Sequence, residues 1–98
     1  GYPLHPPGRP EKRRVAHLPD IRVPMLVVQG TRDTFGTPDE LRPWLAPLGR
    51  AVTLHEVVGG DHSFKVPKRG PVLQSDVYDH AQDAVAGWLH RQIARPRP

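Results

Sequence analysis

Two residues of this 98-residue chain have the types and placement to work as a pair. Asp33 follows the apolar run Met25–Gln29 and its closing Gly30. His62 follows a second run, Ala51–Val58, and the glycines Gly59 and Gly60. A carboxylate set against an imidazole holds the ring in one tautomer and steadies the imidazolium, leaving the other ring nitrogen to take and return a proton. Taken singly, an Asp in such a loop is as a rule a turn former or helix cap, and a lone His an ordinary surface residue. What points to chemistry is that both stand at equivalent strand ends. Gly59 and Gly60 permit the backbone angles a tight loop needs to aim His62. Asp61 is a rival acid, but neighbouring side chains point apart, so it is expected to shape the loop rather than orient the ring.

The remaining histidines offer less. His5 and His17 fall in proline-rich chain, His55 lies on a strand, and His80 and His90 are too far apart on one helix to share a metal. No H-x-x-x-H or comparable spacing is present, so no metal and no cofactor is expected, although Asp33, Asp61 and His62 are a conceivable ligand set. The serines are Ser63 and Ser75. Ser63 adjoins the histidine and faces away from it.

The elements that must position the pair follow from hydropathy and punctuation. Residues 1–24 read as an irregular, proline-rich lead-in, with a short helix conceivable over Glu11–Leu18. Met25–Gln29, bounded by Pro24 and Gly30, predicts a strand buried on both faces of a parallel sheet. Thr37-Pro38-Asp39-Glu40 then carries the signature of a capped helix start: Thr37 as N-cap, Pro38 first in the helix, Glu40 closing a capping box. Leu41, Trp44, Leu45 and Leu48 give that helix its apolar face, Pro43 should kink or split it, and Gly49 should end it. Ala51–Val58, partly polar, suits a strand near a sheet edge. The last helix is capped by Ser75 and stopped by Pro96, with Arg91 and Arg95 near its negative end. Its apolar face is Val77, Ala81, Ala84, Val85, Trp88, Leu89 and Ile93. Residues 25–95 therefore predict a βαβα unit with parallel strands and a right-handed crossover. Both strand-end loops emerge at one carboxyl edge, where open α/β folds place their ligands.

Composition narrows the classes further. The chain has 13 Pro, no Cys, 37% hydrophobic and 6% aromatic residues. Without cysteine there is no disulfide framework, thiolate metal site or cysteine nucleophile. The longest apolar run, Met25–Val28, falls far short of the ~20 residues of a membrane helix. No leader is recognisable, and the expectation is a reducing, cytoplasmic setting with no membrane partner. The net charge of +4 comes from arginines and lysines concentrated near the two ends, without interleaved aromatics. It reads as solvated surface, not a nucleic-acid face. Met25 is the sole methionine, so the chain is expected to be a piece of something longer. Two strands leave one edge of the first unpaired, so marginal stability or pairing with a second copy, as a homo-oligomer, is expected.

Pro24–Asp33 (PMLVVQGTRD) together with Gly59–Phe64 (GGDHSF) resembles the C-terminal part of an α/β-hydrolase, and within that family the dienelactone-hydrolase-like proteins. The opening Gly1–Gly8 (GYPLHPPG) is similar to the segment after that subgroup's preceding strand, so the resemblance covers essentially the whole chain. It implies that residues 1–98 are an incomplete α/β-hydrolase domain. It also implies that Asp33 is the triad acid and His62 the triad base, in the order nucleophile, acid, histidine. The family's G-x-S-x-G elbow has no counterpart here, so the serine would come from upstream. The implied substrates are small esters, lactones or related acyl compounds. Phe35 and Phe64 would be pocket walls, though either could equally be core. A non-catalytic hydrolase-like scaffold is the alternative.

Overall fold

The computed structural model describes residues 1–94, apart from the side chain of Arg50. The expectations for Arg95, Pro96 and Arg97 lie outside those residues. The architecture is a two-stranded parallel sheet with helices, an incomplete α/β fold. Strand β1 spans Met25–Gly30 and β2 spans Val52–Val57, paired in register from Met25 opposite Val52 to Gly30 opposite Val57.

Between the strands runs α1, Pro38–Leu45. Its start is the capping box the sequence spells: Thr37 Oγ1 accepts from the Glu40 N–H at 3.2 Å and Glu40 Oε1 from the Thr37 N–H at 3.1 Å. Pro43 neither splits nor ends the helix, because it removes one donor and the turns on either side hold. The change comes at Ala46, where the chain tightens into 3-10 geometry over Ala46–Ala51. Pro47 contributes to this: Ala46 itself keeps helical angles, φ −54 and ψ −42, but Pro47 has no N–H to continue the α ladder to the Pro43 carbonyl. Gly49, at φ 63, then turns the chain toward β2.

The core lies on one face of the sheet. Leu4, Leu18, Val27, Leu41 and Leu45 form it, so the irregular lead-in contributes two of its members. No helix forms over 11–18; that stretch is turns, followed by a 3-10 turn at Leu18–Asp20. Pro10 and Pro19 bracket too short a segment to offset helix nucleation. The other face carries α2, Gln74–Ala94. The first helical hydrogen bond runs from the Val77 N–H to the Leu73 carbonyl at 3.1 Å. Leu73 is therefore at the cap position and Ser75 is inside the first turn, so the expected cap at Ser75 is corrected to Leu73. Within α2 Val77 and Ala81 are buried, whereas Val85, Leu89 and Ile93 are exposed. Leu26 and Val28, which face this side, are correspondingly half-buried, not enclosed on both faces as expected.

Candidate functional site

The ends of β1 and β2 are stitched together beyond the last ladder pair. The Thr31 N–H reaches the Val57 carbonyl at 3.0 Å, the Arg32 N–H reaches the Gly60 carbonyl at 2.9 Å, and Thr31 Oγ1 accepts from the Gly59 N–H at 2.8 Å. Gly59 takes φ 77, the left-handed region glycine enters at little cost. Gly60 is needed for a different reason: a β-carbon there would lie 2.9 Å from Val57 Cγ1 and 3.2 Å from the Phe64 backbone.

These two loops bring Asp33 and His62 together. His62 Nδ1 lies 2.8 Å from Asp33 Oδ2. Asp33 is fully buried, and its Oδ1 accepts the Phe35 N–H at 2.8 Å. The imidazole side chain keeps 35% of its surface in solvent. With Nδ1–H donating to the carboxylate, Nε2 is left as the proton acceptor. Phe35 covers one face of the ring, centroid to centroid 4.4 Å with a 36° tilt.

Phe64, the other expected wall, takes φ 65, and its backbone carries its polar contacts. Its N–H donates to the Asp61 carbonyl and its carbonyl accepts from Gln74 Nε2 at 2.8 Å. Asp61 does not reach His62. Its Oδ1 accepts the Ser63 and Lys65 N–H groups at 2.8 and 2.9 Å, and these bonds hold its carboxyl below the usual carboxylate range. Among the described residues neither Ser63 nor Ser75 bonds to His62, and no group of three or more His, Asp and Glu is gathered as a metal site.

A family model described as an alpha/beta hydrolase domain matches residues 1–90. The chain belongs to the alpha/beta hydrolase domain family. No curated protein and no solved structure matches it.

Several features of this alpha/beta hydrolase domain escaped the sequence. His5 is not solvated chain but 5% exposed, with Nε2 on Glu40 Oε2 at 2.7 Å and Nδ1 on the Pro6 carbonyl at 2.8 Å. The Pro6 carbonyl, then Glu40, outweigh partial burial and raise its pKa above the usual imidazole value. Burial opposes ionisation of Glu40, but bonds from Thr37 and His5 carry its pKa below the ordinary one. Gln29, an apolar-run residue by position, is fully buried against Asp33. His55 packs against His80 between β2 and α2, ring centroids 5.2 Å apart at a 38° tilt, and burial, with the His80 charge, lowers its pKa. A polar Gln inside an otherwise apolar strand was the one visible signal among these. No helix among the described residues is long and apolar enough to cross a membrane.

Proposed function

We propose that this chain supplies the acid and the histidine of a serine hydrolase triad acting on small esters, lactones or related acyl compounds. The observation that carries the reading is the 2.8 Å contact between buried Asp33 and half-exposed His62 at the carboxyl edge of a parallel sheet. The serine is contributed by the part of the domain that lies outside these 98 residues. His62 Nε2 takes the serine hydroxyl proton as the oxygen bonds to the acyl carbon. Buried Asp33 steadies the imidazolium so formed. The proton then passes from Nε2 to the leaving alkoxide as its C–O bond breaks. Water repeats the sequence: its proton goes to Nε2, its oxygen bonds to the acyl carbon, and the serine leaves with the proton. Phe35 and Phe64 would wall the acyl pocket, and the dienelactone-hydrolase-like subgroup fits the loop motifs. A cysteine-free composition suits a reducing, cytoplasmic setting.

The test is acyl-ester hydrolysis by the whole protein. Asp33→Ala and His62→Ala should each remove most of the turnover, by roughly 10³-fold or more. Undiminished hydrolysis in either variant overturns the reading.

A second reading is a non-catalytic hydrolase-like module, favoured by the lack of a G-x-S-x-G sequence in the chain. In that case a serine-directed fluorophosphonate leaves the whole protein unlabelled. We also propose that the free edge of β1 is paired in the working protein by a second copy or by the rest of the domain. A strictly monomeric 98-residue chain in sedimentation would exclude the second copy.

A further inference from the structure

Among the described residues Gln29 is the most heavily bonded side chain. Its Oε1 accepts the Tyr2 N–H at 2.6 Å, and its Nε2 lies 2.9 Å from the Tyr2 carbonyl, 2.7 Å from the Gly36 carbonyl and 3.1 Å from Asp33 Oδ2. It is wholly buried. Burying an amide inside an apolar strand is unfavourable unless every polar atom is satisfied, and here both are. The oxygen it touches on Asp33 is the one His62 Nδ1 also reaches.

Asp33 is therefore fixed from two sides. The Phe35 N–H holds Oδ1, and Gln29 Nε2, whose two protons are shared with the Tyr2 and Gly36 carbonyls, reaches Oδ2. The same amide ties this carboxylate to an irregular strap, residues 1–5, through both backbone groups of Tyr2. A β-carbon on Gly1 would stand 2.5 Å from Asp33 Oδ2 and 3.1 Å from His62 Nδ1. The start of the strap therefore lies directly against the pair.

We propose that Gln29 is a positioning residue of the Asp33–His62 pair: its amide orients the carboxylate and locks the strap over it, so that neutral His62 carries its proton on Nδ1 alone. The rate consequence rests on the hydrolase reading; the tautomer consequence does not.

The test uses ¹⁵N-labelled protein and long-range imidazole correlations. In the wild type, His62 should be the Nδ1–H tautomer and the Gln29 side-chain amide protons should exchange slowly with solvent. A mixed tautomer or fast exchange there overturns the proposal outright. Gln29→Leu, which removes both functions, should give mixed His62 tautomers. Gln29→Glu keeps an acceptor for Tyr2 but removes the amide donor that reaches Asp33, so it too should give mixed His62 tautomers. It decides the matter should the Leu variant fail to fold. A folded variant with the wild-type tautomer of His62 overturns the proposal. In a whole protein that hydrolyses acyl esters, Gln29→Leu should lower kcat at least about tenfold with KM little changed; an unchanged kcat also overturns it. If His62 responds as stated yet the whole protein hydrolyses nothing, the positioning role stands and the hydrolase reading falls.

Discussion

Gly30 and Gly60 pass so close that a β-carbon on Gly30 would lie 2.1 Å from the Gly60 carbonyl oxygen. The same carbon would come within 2.5 Å of the Asp61 carbonyl oxygen. All the obstructing atoms are backbone, so no rotamer change relieves the contact. Gly30→Ala must push the His62 loop off the end of β1. The expected cost is about 3 kcal/mol, the upper range for overpacking. Urea unfolding of the variant checks it, and Gly8→Ala is the comparison. Gly8 meets nothing within 4 Å but holds φ 76, so its cost should be about 1 kcal/mol.

The His5–Glu40 pair gives the strap a pH dependence of known sign. The folded pKa of His5 is raised, chiefly by the Pro6 carbonyl and then by Glu40. Its contribution is therefore complete below the unfolded imidazole value of about 6.5 and is lost as pH rises through the higher folded value. His55, lowered by burial, acts oppositely: its contribution is present above about 6.5 and fades as pH falls through its folded pKa. Amide exchange at Leu4 and His5 should accelerate above that range beyond the ordinary base catalysis, and His5→Gln should abolish the excess. An excess that persists in His5→Gln would place its origin elsewhere.

Asp33 also has a structural role that needs no substrate to measure. Asp33→Ala strips acceptors from the Phe35 N–H, from one Gln29 N–H and from His62. Gln29 Nε2 keeps the Tyr2 and Gly36 carbonyls as acceptors, so the uncompensated loss falls on the part-buried Phe35 N–H and on His62 and should destabilise the fold by roughly 1–3 kcal/mol. Asp33→Asn restores one acceptor and should recover part of that loss. Equal midpoints for the wild type and Asp33→Ala in urea would contradict the described network.

Gln74 holds the far side of the His62 loop. Its Oε1 accepts the Val66 N–H and its Nε2 donates to the Phe64 carbonyl, both at 2.8 Å. Gln74→Ala should cost about 1–2 kcal/mol for two hydrogen bonds and speed exchange of the Val66 amide. It should leave the His5 titration untouched, since the two sites share no partner.

The strands, the capped helix and the two strand-end loops were legible because each rests on local rules: apolar runs closed by Gly30 and Gly59, and Thr37 and Glu40 at capping-box spacing. The tie of the lead-in to the core was not. His5 is fixed by chain 30 and 35 residues away, through Phe35 and Glu40. No periodicity in a proline-rich segment announces such contacts. The apolar face of α2 was legible as a pattern, but which members are buried depends on what packs there. Among the described residues Val77 and Ala81 are covered while Leu89 and Ile93 face outward. Gln29 was readable as a polar residue in an apolar strand; its partners at Tyr2 and Gly36 were not.

The bonds that carry the ladder past Gly30 and Val57 have a consequence for how the two loops move. Thr31, Arg32, Gly59 and Gly60 are cross-linked to one another or to the final strand residues. Neither loop can open alone without breaking bonds that belong to the other. Acid and histidine therefore sit in a single cooperative opening unit, and the amides of these four residues should share one exchange free energy. The spacing of the pair is inherited from the width of a β-ladder, a rigid dimension, rather than from the average of two independently wandering turns.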